Sequence, residues 1–154
     1  MKFITCVTLL SLCLLNAKSQ NVDKPSDYME RATAIEKNGD MYFEKGDYNG
    51  AITSYNSAIA NWYMLSGSSP LIGFVRPELF LKIANSYIAW QNFDSAIENC
   101  NEYIEMKPKS GEGFYVRGNA RREAKDNEGA CNDWKRAELL GYFKSQNKLT
   151  QYCK

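Results

Sequence analysis

The feature that most limits what this chain can fold into is a set of residues recurring three times in register. With the segments aligned on Ala51, Ala96 and Ala130, the residues sixteen before are Ile35, Phe80 and Phe114. Twelve before are Gly39, Ala84 and Gly118, and nine before are Tyr42, Tyr87 and Arg121. Four before stand Asp47, Asn92 and Asp126, and Gly46 lies five before the first alanine. Four after come Tyr55, Cys100 and Trp134; seven after come Ala58, Tyr103 and Ala137; Pro108 lies twelve after the second alanine. Ala96 and Ala130 are 34 residues apart. A fixed period of this length means one helical unit stacked on copies of itself, because a single unit cannot bury its own apolar face.

The residue types explain the spacing. Gly39, Ala51, Ala58, Ala84, Ala96, Gly118, Ala130 and Ala137 are small and suit close helix crossings, while Ile35, Tyr42, Tyr55, Phe80, Tyr87, Phe114 and Trp134 fill the space beside them. Asp47, Asn92 and Asp126 are good helix N-caps, each just before an apolar periodicity. Pro25-Ser26, Pro77, Pro108 and Gly141 mark further helix ends. The pattern predicts helices near 27–45, 48–64, 77–90, 93–107, 111–125, 127–140 and 142–152. The last of these covers the exposed face of the final unit, as terminal units must.

The pattern resembles the tetratricopeptide repeat over about residues 32–144. The resemblance implies an all-α, right-handed α-solenoid of three helix hairpins plus a C-terminal capping helix. The expected organisation is a leader over 1–19, a linker over 20–26 and a repeat domain over 27–154. Repeats are placed at about 32–65, 77–110 and 111–144, with the capping helix at 142–152. The resemblance also implies a concave groove, lined by the first helix of each repeat, that binds extended or helical peptides. The family's carboxylate clamp for acidic C-termini carries Lys and Asn in the first repeat, Asn in the second and cations in the third. The matching positions here are Glu36 and Asp40, then Asn85, then Tyr115 and Asn119. Only Asn85 fits, and acids replacing the first-repeat cations argue against an acidic C-terminal ligand.

The expected groove set is therefore Glu36, Asp40, Asn85, Tyr115, Asn119 and Arg122. Glu36, Asp40 and Glu44 recur every four residues and share one helix face, as a groove wall or as a solvated stripe. Asn85 and Asn119 carry amides that both donate and accept, suited to a ligand backbone. Tyr115 and Arg122 add a stacking surface and a fixed cation.

Between Ala51 and Ala96 the interval is 45 residues, an insertion of 11 around Ser66–Arg76. Its first part, Ser66-Gly67-Ser68-Ser69-Pro70, has loop composition. Its second part, Leu71-Ile72-Gly73-Phe74-Val75, is apolar. That segment either folds back over the helix ends or forms a flap beside the groove.

Met1-Lys2, the apolar run Phe3–Leu15 and Ala17-Lys18-Ser19 compose a secretory signal, cleaved before Gln20. The run is too short for a spanning helix, which needs roughly 20 apolar residues. Lipidation at Cys13 is the second reading, disfavoured by the bulky Leu12. Export places the chain in the periplasm, facing the outer membrane, or outside the cell. The Gly129-Ala130-Cys131 repeat, the terminal Tyr152-Cys153 and a signal ending in Ser-Gln resemble small exported repeat proteins of Bacteroidetes-type bacteria.

Cleavage leaves Cys100, Cys131 and Cys153 in an oxidising compartment. Cys131 begins the last repeat's second helix and Cys153 ends the capping helix. Gly141 turns the chain ten residues after one and twelve before the other, so the ends of two nearly equal arms should meet in a disulfide. Cys100 takes an aromatic core position and reads as an inert thiol.

Histidine is absent, which excludes Ser-His and Cys-His nucleophile pairs and His-containing zinc sites. No carboxylate pair stands beside a nucleophile or metal partner, and no Cys-x-x-Cys is present. The chain is thus expected to be no enzyme, with neither cofactor nor metal. Without Lys2 and Lys18 it carries 17 basic and 18 acidic side chains, leaving no basic surplus for nucleic acid. No further apolar stretch approaches membrane-spanning length. The expected function is a protein- or peptide-binding adaptor or scaffold of the cell envelope. The rivals are a structural envelope subunit without a groove ligand and a thiol-active redox protein.

Overall fold

Each repeat starts its second helix with a side chain folded back onto the helix's own backbone. Asp47 Oδ1 accepts from the Gly50 amide at 2.9 Å, Asn92 Oδ1 from Ser95 at 3.3 Å, and Asp126 Oδ1 from Gly129 at 2.8 Å. Each bond satisfies an amide that a helix start leaves without a partner. The preceding residue swings the chain through the left-handed region, with φ of 78° at Gly46, 62° at Gln91 and 70° at Lys125. These three are equivalent repeat positions, so one turn geometry is used three times.

The computed structural model describes residues 24–65 and 76–153. The leader and nearly all of the insertion lie outside the described residues. Among the described residues there are seven helices and no strand: α1 Pro25–Glu44, α2 Tyr48–Leu65, α3 Glu78–Ala89, α4 Phe93–Met106, α5 Gly111–Glu123, α6 Asn127–Leu139 and α7 Ser145–Tyr152. α1 packs on α2, α3 on α4 and α5 on α6; α2–α3, α4–α5 and α6–α7 contacts join the hairpins, and α3 also touches α5. This is an α-solenoid of three hairpins and a capping helix.

Two helix starts differ from the spacing by more than one residue. α1 begins two residues early because Pro25, which has no amide to leave unpaired, suits the first turn, and Asp27 Oδ2 accepts from the Lys24 amide at 3.1 Å. α7 begins at Ser145 rather than Tyr142. Gly141 turns left-handed at φ 82°, the Tyr142 amide donates to Ala137 O at 2.9 Å, and buried Ser145 donates to Tyr142 O at 2.6 Å. Three residues are spent on that turn before a helix can form.

The crossings within hairpins obey one size rule. In the first repeat Tyr55 fills the crossing, and a Cβ on Gly39 would sit 2.5 Å from its Cε1. In the third, a Cβ on Gly118 would sit 2.6 Å from Trp134 Nε1. The middle repeat inverts the sizes, pairing Ala84 with Cys100, both completely buried in one cluster. A ring therefore faces glycine, and a small side chain faces alanine.

The third repeat adds an ionic tie. Arg117 donates from Nε and Nη2 to the two oxygens of Asp133 at 2.9 and 2.7 Å, and Arg121 Nη1 donates to Oδ2 at 2.9 Å. Arg117 Nη1 also reaches Asn101 Oδ1 at 2.7 Å, linking α5 to α4. Asp133 is buried, and a buried carboxylate holds its charge only with such partners. The bond to Asp133 raises the Arg117 pKa above its ordinary value. At the far end Cys131 and Cys153 are joined, with Cα atoms 5.7 Å apart, tying the start of α6 to the end of α7.

Two outcomes follow for stability. Cys100→Tyr should lower unfolding free energy by roughly 1–3 kcal/mol, because Ala84 leaves no space for the ring. Adding Ala84→Gly should recover part of that, read as a coupling of about 1 kcal/mol in a denaturant double-mutant cycle. Reducing the Cys131–Cys153 bridge, which closes a loop of 22 residues, should cost on the order of 3 kcal/mol. A thermal melt with and without reductant measures it, and Cys153→Ser should melt at the reduced temperature in both.

Candidate ligand groove

The first-repeat acids project from α1 one turn apart and differ in exposure. Glu36 is nearly covered, its side chain 10% exposed, while Asp40 is 45% exposed. The ammonium of Lys82, on α3, lies between them, 3.0 Å from Glu36 Oε1 and 2.7 and 2.9 Å from the two Asp40 oxygens. Arg76 Nη1 donates to Glu36 Oε2 at 2.8 Å. The Tyr55 hydroxyl donates to Asp40 Oδ1 at 2.8 Å, so the ring that fills the first crossing also orients this carboxylate.

The charges reinforce each other. Burial alone would lower the Lys82 pKa, but hydrogen bonds to Asp40 and Glu36 outweigh it and hold the value above ordinary. The Tyr55 phenol is pushed up by burial, then by its bond to Asp40 and the nearby charges of Glu36 and Glu44. Glu36, Asp40, Lys82 and Arg76 thus form one connected set of ion pairs. The wall expected to be bare and acidic carries two cations, Lys82 and Arg76, that spacing did not single out. One signal was available: Lys82 is a lone charge inside Leu79-Phe80-Leu81-Lys82-Ile83-Ala84, where a charge needs a partner.

Beside this cluster the surface opens into a pocket of about 420 Å³ lined by Asp40, Phe43, Tyr55, Lys82, Asn85, Ile88 and Ala89. Asn85 is exposed there, one turn along α3 from Lys82. Of the expected set, Asp40 and Asn85 line this pocket, while Glu36 lies outside its lining and is linked to Asp40 through Lys82. The third-repeat residues have other neighbours. Tyr115 packs on Tyr142, ring centroids 5.1 Å apart, and the Arg122 guanidinium lies 4.7 Å from the centre of the Tyr152 ring. Asn119, between them on α5, has a buried Oδ1 without a hydrogen-bond partner among the described residues.

The pocket offers shape, amide groups and paired charge, which is the chemistry of binding. Cys100 lies buried away from it, its thiol pushed up to about 12 by burial. Among the described residues no group of three or more His, Cys, Asp or Glu is placed to hold a metal ion, and no helix is long and apolar enough to cross a membrane.

Comparison with known proteins divides the chain in the same way. A family model described as TPR repeat matches residues 39–60, across the α1–α2 crossing, and one described as Tetratricopeptide repeat matches residues 77–110, the α3–α4 hairpin. The peptidyl-prolyl cis-trans isomerases FKBP4 of Bos taurus and Homo sapiens are each 27% identical over 117 residues. That is 73% of this chain and 25% of theirs, so the chain spans about a quarter of the length of the curated relatives it matches. Among solved structures, the first TPR of Spaghetti (RPAP3) bound to the HSP90 peptide SRMEEVD superposes with a TM-score of 0.65 at 23% identity, covering 80% of this chain and 93% of that one. The second TPR domain of human RPAP3 in complex with the HSP70 peptide SGPTIEEVD gives 0.66 at 22% identity, covering 82% and 98%. Register, capping and crossing geometry agree with these matches: the segments 39–60 and 77–110 are tetratricopeptide repeats, and the third hairpin, 111–139, repeats their fold.

Proposed function

We propose that this chain is a non-catalytic adaptor or scaffold that holds a segment of another protein in the groove between its first and second repeats. The observation that carries the proposal is the α1–α3 pocket, where an apolar floor meets the Asn85 amide and a half-exposed Asp40. Domains of the same fold are named as peptide complexes, which supports a peptide as the ligand class. The peptides in those names end in Glu-Glu-Val-Asp, and this groove is poorly suited to such an end. Its ammonium, Lys82, is already shared by two carboxylates. The isomerase activity named for the curated relatives is not carried over, since three quarters of their length is unmatched.

The leader over 1–19, with cleavage after Ser19, supports export, and we assign the mature chain to the periplasm or the outer-membrane-facing space of a bacterium of Bacteroidetes type. An oxidising compartment would keep the Cys131–Cys153 bridge closed. A structural subunit of an envelope complex is the second reading, favoured by the exposure of Leu139 (78%) and Phe143 (72%) beside the last turn.

Two measurements test this. With a partner recovered from the native envelope, Asn85→Ala should weaken binding by roughly 1–3 kcal/mol in calorimetry while the melting temperature hardly changes. Unchanged affinity would move the interface elsewhere, as a structural subunit requires. The Cys100 thiol, with its pKa near 12, stays protonated at pH 8. The folded protein should therefore show almost no reaction with a thiol reagent there, and one equivalent after denaturation. Rapid reaction while folded would support the redox alternative.

A further inference from the structure

Within that reading of the groove, we infer that its ligand is a peptide segment in which a lysine or arginine stands within two residues of an aliphatic side chain. The aliphatic group seats against Phe43 and Ile88, and the cation lies on Asp40 and Glu44. The charge ledger of the first two repeats points this way. Glu36, Asp40 and Glu44 rise along one face of α1; Arg76 and Lys82 pair with Glu36 and Asp40, and Glu44 adds a third carboxylate outside those pairs. Glu44 is exposed and has no hydrogen bond or ion pair among the described residues. It lies one helical turn beyond Asp40 on α1, as Asp40 lies one turn beyond Glu36.

Asp40 has capacity left. A carboxylate offers about four acceptor sites. Tyr55 and Lys82 occupy Oδ1, Lys82 alone occupies Oδ2, and the side chain is 45% open to solvent. An incoming ammonium or guanidinium finds a free lone pair there and a second carboxylate one helical turn on. An incoming carboxylate finds the opposite. The Lys82 ammonium, with three N–H groups, is already directed at three oxygens of two acids. Glu78 lies two turns before Asn85 on α3, and Glu112 occupies the equivalent position at the start of α5. The remaining lining of the pocket is apolar and calls for an uncharged side chain next to the cation. Asn85 is placed to exchange a donor and an acceptor with the peptide unit between them.

The test is selection of a displayed random 12-residue peptide library on the purified protein, followed by titration of the synthetic winners. Enriched sequences should pair Lys or Arg with Leu, Ile, Met or Phe within two positions. Their affinity should fall about tenfold, or 1.4 kcal/mol, with Glu44→Lys, an exposed change that leaves the Asp40–Lys82 pairs intact. The same loss should appear with Ile88→Ser, and raising the salt should weaken binding. Asp40→Asn should act likewise, with its melting temperature checked because it also frees Lys82. Enrichment of acidic C-terminal sequences, or basic winners indifferent to Glu44→Lys, would overturn this inference and leave the groove standing. Winners indifferent to Ile88→Ser, Glu44→Lys and Asn85→Ala together, or no enrichment at all, would overturn the groove itself.

Discussion

Close approach of two helix backbones is the constraint from which the rest follows, and it is met three times by matching one residue's absence of bulk to its partner's size. At Gly39 and Gly118 a single added carbon would overlap a ring. Rings placed this way do more than fill space. The Tyr55 ring lies under the first repeat's crossing, and its hydroxyl emerges on the other side to hold Asp40. Packing at the crossing and the orientation of Asp40 thus depend on one side chain, and a change at the crossing reaches the ion pairs without any loop moving.

The electrostatics are built on that frame. Four charged groups from α1, α3 and the residue before Pro77 neutralise each other at the junction of repeats one and two. Such a cluster adds little net stability when half exposed, but it strongly disfavours misalignment, since sliding either helix strands a charge. The third repeat uses the same device deeper down, with Arg117 and Arg121 gripping the buried Asp133 where the other repeats carry uncharged side chains. The solenoid therefore has an apolar middle and ionic ties on either side of it.

The helices were legible in the sequence because they depend on neighbours within one repeat. Asp47, Asn92 and Asp126 announce helix starts through bonds spanning three residues, and the small and large positions recur at fixed offsets. What stayed hidden depends on register between repeats. Lys82 meets Asp40 across 42 residues and Arg76 meets Glu36 across 40, spanning an insertion that breaks the period. No periodicity fixes which residues face each other over such a gap. The start of α7 was missed for a related reason, since it depends on the burial of Ser145 and a left-handed turn at Gly141. Likewise, nothing near Tyr115 or Arg122 in the chain says that Tyr142 and Tyr152 will lie against them.

The side chains that form the pocket come from both sides of a joint. Asp40 and Phe43 belong to the first hairpin, Lys82, Asn85 and Ile88 to the second. In a stack whose units touch only their neighbours, the weakest cooperative link is such a joint. A ligand that grips both sides adds its binding free energy to the coupling between units, and only while they are docked. Occupancy would then set how far unfolding of one hairpin propagates to the next. The empty protein would melt over a broader range, and the filled one as a single block.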